Sequence, residues 1–445
     1  MKTELNKSEL LAICYPNDWH WVLSLEYFCL KNSGKMDIEV FDFSQIGEFK
    51  FKHTVRNILN KNSIEKKVIN HLNSQGVRIT RFYSKNYLGK YLRFMILYKR
   101  KVNRIDLSKL TSHNSIVERT GSLNIDLKNS KRDVISEEIR RVEIDYVLSG
   151  IEFNKFRKIV TVNGRFTKNS SIVRIAKEKK LQINLLEFGS SRTKIQVYRK
   201  SPHSMYEIKK LISAMWDKSE SKSKVKIAKE YISQIKRDAD VAKIGWRIKM
   251  RPGYAPRRSN KKRCTFFAST EAEYAGVGDT LPKGYFKNQV EAFRYLCEYL
   301  DPDVWEIFLR RHPQNPMSKI KDPESFLWKE FEILKNVTII EPDSIVDSLA
   351  LGLSSDLNVN YCSSISMELV ALGAKEMITM GPAPWNKLIP KHIVQTKVSL
   401  RNYLDSKPKP IRIEDIWPWA FYSTTFGKDF SLFAWNKGKN KWELR

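Results

Sequence analysis

Three short segments hold side chains suited to gripping and activating a phosphate-bearing ligand. They are Arg310-Arg311-His312-Pro313, Glu341-Pro342-Asp343 and Cys362-Ser363-Ser364-Ile365-Ser366. Ser363, Ser364 and Ser366 open an expected helix, where free backbone N–H groups, the helix dipole and the hydroxyls favour a phosphate. The His312 imidazole can donate to that phosphate or protonate a leaving oxygen. The Glu341 carboxylate suits the two hydroxyls of a ribose. Taken singly, each has a plainer reading: Ser-Ser caps a helix, His-Pro makes a turn, and Glu-Pro-Asp is a loop with a cap. Their positions carry more weight. Each follows a segment that reads as a strand (305–310, 337–340 and 357–361), and loops at one edge of a parallel sheet can converge on one patch.

The elements that must position these loops alternate in type. Residues 9–15 and 37–43 read as strands around an apolar helical pattern over 19–30, an opening that favours a parallel sheet covered on both faces. A helix over 66–76 and a strand over 77–83 follow. A strand over 158–162 meets Asn163-Gly164-Arg165, then come a helix over 170–180 and a strand over 182–187 that runs into Glu187-Phe188-Gly189. Residues 206–238 read as helical and charged, and 251–263, with Pro252, Gly253, Pro256 and a basic run, as a linker. Strands are expected again over 264–268, 305–310, 337–340, 357–361 and 376–380, with helices over 288–299, 324–334, 344–351 and 365–372. The expected architecture is α/β: two doubly wound domains, 1–250 and 251–405, with 406–445 packing back on the first.

A chain of 445 residues suits two domains better than one core, and 42% apolar residues exclude general disorder. No apolar run approaches the roughly 20 residues that cross a bilayer. The polar start and the break at Pro16-Asn17-Asp18 read as neither signal peptide nor anchor. Cys14, Cys29, Cys264, Cys297 and Cys362 form no Cys-x-x-Cys pair, so a reduced, cytosolic protein is expected, without a disulfide framework or zinc site. The net charge of +30 implies an anionic partner: nucleic acid, an anionic membrane surface or anionic substrates. Residues 85–104 interleave Tyr87, Tyr91, Phe94 and Tyr98 with cations, which fits a helix lying on anionic lipid or a platform for single-stranded nucleic acid. A second basic cluster spans 222–263. A solvated basic face with no specific partner is the plain alternative for both. No recognition motif of a DNA or RNA module is present, and both clusters lie outside the converging loops.

The ordered set His312-Pro313, Glu341 and Ser363-Ser364 resembles the His-Pro motif, ribose-binding glutamate and Ser-Ser motif of bacterial GT-B glycosyltransferases that use CMP-activated 2-keto sugar acids. Bacterial sialyltransferases and the Kdo transferases of capsule and lipopolysaccharide assembly are the examples. Two further segments are similar to the capsule branch. One is Asn163-Gly164-Arg165-Phe166 with Leu186-Glu187-Phe188-Gly189, where Phe188 replaces the usual Arg. The other is Ser269-Thr270-Glu271-Ala272-Glu273-Tyr274, which resembles a Ser-Ser-x-Asp-Glu-Phe segment. The resemblance covers about residues 158–435 and is only architectural before that.

This resemblance implies a GT-B fold, with an acceptor-side domain and a nucleotide-sugar-binding domain facing across a cleft. It implies transfer of Kdo or a sialic-acid-like nonulosonic acid from its CMP form to a surface-polysaccharide or lipid-linked glycan. His312, Pro313, Glu341, Ser363, Ser364, Ser366, Asn163, Gly164 and Arg165 would bind the donor, Arg165 through the donor carboxylate or the acceptor. Catalysis would draw on His312 and a carboxylate among Glu273, Glu271 and Glu187, with Asp279 also available. Such transfer needs one carboxylate as base or nucleophile. Ala272 stands where an aspartate is expected, which leaves Glu271 or Glu273 to take the role. The donor has a single phosphate and no Asp-x-Asp motif is present in the second domain, so neither metal nor other cofactor is expected. The expected partners are the CMP-sugar, a glycan or glycolipid acceptor and the anionic cytoplasmic face of the inner membrane, with no nucleic acid. The competing readings are a transferase of the same build using another nucleotide sugar, and a basic nucleic-acid-binding protein.

Overall fold

Strand β1 (Ser8–Ile13) carries Leu10, Leu11, Ala12 and Ile13 in succession, all fully buried, as in a parallel strand covered on both faces. In the computed structural model, which describes residues 8–32, 38–46, 64–83, 115, 127–202, 204–239, 250–269, 286–313, 325–374, 376–406, 409–436, 438–439 and 441–445, β1 lies inside a seven-stranded sheet. It is followed by α1 (Asp18–Asn32), β2 (Ile38–Asp42), α2 (Ile64–Ser74), β3 (Ile79–Arg81) and α3 (Leu127–Ser149). Then come β4 (Phe156–Val162), α4 (Thr167–Glu178), β5 (Gln182–Phe188) and β6 (Lys194–Tyr198). Strands β3-β2-β1-β4-β5 are parallel in that order, and β6 adds antiparallel to β5. Alternate residues serve opposite faces. Leu11, Ile13, Val160 and Val162 pack with Trp21, Leu25 and Phe28 of α1; Leu10, Ala12 and Ile159 pack with Ile144 and Leu148 of α3 and Ile172 of α4.

The second unit repeats the plan. After α5 (Met205–Lys218) and α6 (Ser221–Ala239) come β7 (Lys262–Phe267), α7 (Gln289–Tyr299), β8 (Trp305–Arg310), β9 (Val337–Ile340) and α8 (Ser348–Leu353). Strand β10 (Leu357–Asn360), α9 (Ile365–Ala371), β11 (Met377–Thr379), α10 (Lys397–Ser406) and α11 (Trp417–Thr425) complete it. Its five strands are all parallel in the order β11-β10-β7-β8-β9. In both sheets the first strand is central and the winding direction reverses beside it, between β1 and β4 and between β7 and β10. The protein is therefore two doubly wound, Rossmann-like α/β units.

The units divide differently from the sequence expectation. One comprises Met1–Pro202, Ala275–Val277 and Phe426–Arg445; the other His203–Tyr274 and Gly278–Thr425. The break falls at 202 rather than 250 because α5 and α6 pack on α11: the Trp216 and Phe421 rings lie 5.9 Å apart, those of Tyr231 and Trp419 5.8 Å. For the same reason residues 406–425 belong with the second unit. The stretch expected as a linker is tied into that unit as well. Arg251 N–H donates to the Ile345 carbonyl at 2.8 Å, and Gly253 N–H to Asp347 Oδ2 at 2.9 Å. Arg263, from the basic run, is fully buried on Glu306 at 2.8 Å.

The tail Phe426–Arg445 belongs to the first unit. It supplies β12 (Lys428–Asp429), antiparallel to β6, and the hairpin β13 (Phe433–Asn436) with β14 (Lys441–Leu444). Its anchor is Glu26 of α1, fully buried, whose carboxylate accepts from the backbone N–H groups of Ser431, Leu432 and Phe433 and from the Ser431 hydroxyl at 2.7–2.9 Å. Gly189 explains itself here too: a Cβ would meet the Phe426 carbonyl at 2.5 Å, so only glycine admits the returning chain.

Candidate functional site

In the second unit, the reversal between β7 and β10 opens a crevice at the carboxyl ends of the strands, the place where open α/β sheets bind ligands. A pocket lies there. Phe267 and Ala268 come from the end of β7, Arg310, Arg311, His312 and Pro313 from β8, Ser363, Ser364 and Ile365 from β10, and Ser348 from α8. It encloses about 80 Å³, two to three water volumes, which is the scale of a phosphate group.

The walls are set by backbone bonds that extend the ladders past the strands. Ala268 N–H donates to the Arg310 carbonyl at 3.0 Å, and Arg311 N–H to the Ile340 carbonyl at 3.1 Å. On the other side, the turn after β11 is pressed against the turn after β10. A Cβ on Gly381 would sit 2.0 Å from the Tyr361 carbonyl oxygen, and the Cys362 thiol donates to the Pro382 carbonyl at 2.7 Å. The Ser-Ser turn is thus held from below by a glycine that nothing larger can replace.

Two arginines and one carboxylate, Glu368, line the pocket. Arg310 and Arg311 are 1% and 2% exposed. Arg311 Nη1 meets Glu341 Oε2 at 2.6 Å. Arg310 donates through Nε to Ser348 Oγ at 3.0 Å and through Nη1 to the Glu341 carbonyl. Burial lowers the Arg310 guanidinium to about 10 despite nearby Asp347, Asp343 and Glu341. Burial, helped by the Arg310 charge, lowers His312 to about 4. His312 is therefore neutral at pH 7 and presents one N–H and one lone pair.

The structure brings His312, Pro313, Ser363 and Ser364 to this one pocket, from the ends of β8 and β10, the strands that flank β7. Glu341 follows β9 at the same edge but stands outside the pocket wall, exposed, and joined to it through Arg311. Ser366 departs from expectation. It is fully buried, and its hydroxyl donates to the Ser363 carbonyl at 3.0 Å, bracing the turn instead of facing a ligand. The helix it opens is seven residues long, so the hydroxyls of Ser363 and Ser364 have more to offer an anion than the dipole does.

The first-unit candidates gather at the equivalent edge of their own sheet. Asn163 and Gly164, after β4, both adopt left-handed backbone, with φ of 60° and 86°. A Cβ on Gly164 would contact the Leu185 side chain at 2.9 Å. Asn163 Nδ2 donates to Glu187 Oε2 at 2.6 Å, and Glu187 Oε1 accepts from Phe188 N–H at 3.1 Å, so Glu187 holds the turn it was expected to serve. The Arg165 guanidinium lies over the Phe166 ring at 5.2 Å. Glu271, Glu273 and Asp279 lie outside the described residues, as does the basic segment 85–104. Sequence reasoning placed Arg310 in the first of the three segments without giving it a role, and missed Ser348. The available signal was a charged residue ending the apolar run Ile307-Phe308-Leu309 of β8.

Among the described residues, no three His, Cys, Asp or Glu side chains are grouped to hold a metal ion, and no helix is long and apolar enough to cross a membrane. No family model matches the sequence, and comparison with curated proteins gives no match. Among solved structures, the chain is similar to Thermosulfurimonas dismutans KpsC, a β-Kdo 2,4 transferase, at 13% identity and a TM-score of 0.39, over 60% of this chain and 80% of that one. It is also similar to S. aureus MnaA in its UDP co-structure, at 11% identity and a TM-score of 0.28 over 95% and 93% of the two chains. The Methanocaldococcus jannaschii UDP-GlcNAc 2-epimerase with UDP-GlcNAc and UDP gives 13% identity and a TM-score of 0.29 over 95% of each chain.

Proposed function

We propose that the protein is a glycosyltransferase that moves a 2-keto sugar acid, Kdo or a nonulosonic acid of the sialic-acid type, from its CMP form to a surface-polysaccharide or lipid-linked glycan. The observation that carries this reading is the meeting of His312-Pro313 and Ser363-Ser364 in one phosphate-sized pocket, lined by Arg310 and Arg311, at the reversal of the second sheet.

On this reading Ser363, Ser364 and His312 hold the CMP phosphate as the glycosidic bond breaks. Charge grows on the leaving phosphate in that step, and donors fixed beforehand stabilise it without reorganising. His312, neutral at pH 7, donates its N–H to the phosphate. Glu341, held by Arg311, faces solvent with room to accept the ribose hydroxyls. Arg165 remains the candidate for a donor carboxylate or the acceptor. The base or nucleophile comes from Glu271 or Glu273, since both Glu187 oxygens are engaged in local bonds. The chemistry needs no metal on this account, because a single phosphate meets enough donors. The test is melting temperature with CMP, UDP and GDP in the presence of a chelator. CMP alone should raise it; equal shifts with UDP, or loss of the CMP shift with chelator, would contradict the donor assignment.

A further inference from the structure

Four arginines among the described residues are nearly or fully buried in this chain: Arg140, Arg263, Arg310 and Arg311. A cation taken from water requires a counter-charge close by. Three have one. Arg140 meets Glu137 at 2.5 Å, Arg263 meets Glu306 at 2.8 Å and Arg311 meets Glu341 at 2.6 Å. Arg310 makes no ion pair among the described residues. Its Nε and Nη1 are used by two neutral oxygens, Ser348 Oγ and the Glu341 carbonyl, and its Nη2 is buried with no hydrogen-bond partner. It also lines the pocket that Ser363, Ser364, His312 and one carboxylate, Glu368, share.

From this we infer that Arg310 is an anion-binding residue of the pocket, and that its Nη2 donates to a non-bridging oxygen of the ligand's phosphate. The two neutral anchors make it a preorganised donor: they fix the guanidinium plane without spending its charge, which is left for the ligand. Ser348 acts as a positioning residue. The pair explains why an arginine ends a buried strand. Asp347, Asp343 and Glu341 act on Arg310 without forming an ion pair with it, and an anion in the pocket supplies the direct contact and relieves the field that suppresses His312 protonation. The assignment of the anion to a nucleotide rests on the function proposed above; the assignment of Arg310 to a phosphate does not.

Calorimetric titration of the full chain with CMP, cytidine and inorganic phosphate tests both separately. Arg310→Gln should weaken CMP ten- to a hundredfold, about the range for one hydrogen bond between charged groups, and leave cytidine unchanged. Ser348→Ala, which frees Nε but keeps the charge, should weaken CMP by a smaller factor, about threefold. If CMP does not bind but inorganic phosphate does, and Arg310→Gln abolishes it, the arginine's role stands and the CMP reading fails. CMP affinity unchanged in a folded Arg310→Gln overturns the inference. Should that variant fail to fold, Arg310→Lys and Ser348→Ala decide: wild-type CMP and phosphate affinity in both overturns it. A wild-type protein that binds neither CMP nor phosphate overturns it as well.

Discussion

His312 sits where a half-buried imidazole adjoins a buried guanidinium, and the effect of that charge is measurable. Its value of about 4 in the folded chain lies below the ordinary 6.5, so the unfolded chain takes up the proton first. Stability from this site is complete above about pH 6.5 and falls as pH drops towards 4. Urea titrations of wild type and His312→Gln across that window should diverge, with wild type losing stability faster on acidification; parallel curves would show that His312 is not suppressed. At pH 7, His312→Ala should lower transfer roughly 10²-fold or more, the loss expected for a positioned donor or charge stabiliser. Turnover at the wild-type level would remove His312 from the mechanism. The His-Pro and Ser-Ser pairs were legible in the sequence because they follow strands at fixed places. The role of Arg310 was not: its burial, its neutral anchors on Ser348 and the Glu341 carbonyl, and its lack of a direct ion pair are tertiary facts.

At the scale of elements, alternation of apolar runs and helical patterns made both parallel sheets readable, from β1 to β5 and from β7 to β11. The 23-residue α3, whose buried positions include Glu137, Glu138, Arg140 and Glu143, escaped, as did elements whose pattern is short or whose partner is distant. β6 is five residues after a polar turn, and β12 is two residues whose pairing depends on β6. The stretch 251–261 has linker composition, yet its backbone is bonded to Ile345 and Asp347. Ser366 looked like a ligand because serine spacing does not reveal which hydroxyl turns inward. Glu26 shows how much a single side chain can organise: one carboxylate accepts four bonds from Ser431–Phe433 across a separation of some four hundred residues. Glu26→Ala should destabilise the protein by about 2–4 kcal/mol, since several charged-acceptor bonds are lost and their buried N–H groups are left unpaired. The checks are chemical denaturation and limited proteolysis, with cleavage near residue 426 preceding global unfolding. An unchanged midpoint and digest would show that the hairpin packing alone holds the tail.

For the whole molecule, the +30 charge is the property that the pocket does not absorb. Part of it is structural: Arg263, Arg310 and Arg311 are buried in the second unit. Further cations stand on surfaces such as α6, where Lys222, Lys226, Lys229 and Arg237 share one face with a single carboxylate, Glu230. We propose that this charge holds the enzyme on the anionic cytoplasmic face of the inner membrane, close to a lipid-linked acceptor, each cation near the surface contributing about 1 kcal/mol. Vesicle flotation should show binding that requires anionic lipid and falls steeply with salt; equal binding to neutral vesicles would contradict it.

The central claim is that the pocket receives the phosphate of a CMP-activated sugar acid, and donor cleavage tests it most directly. The chain should be incubated in chelator with CMP-Kdo, CMP-sialic acid, UDP-GlcNAc and GDP-mannose, and nucleotide release followed with wild type and His312→Ala. The account predicts CMP release from at least one CMP-sugar acid, lost in His312→Ala, with no UDP or GDP released. Release of UDP or GDP, or CMP release that His312→Ala leaves intact, would contradict it.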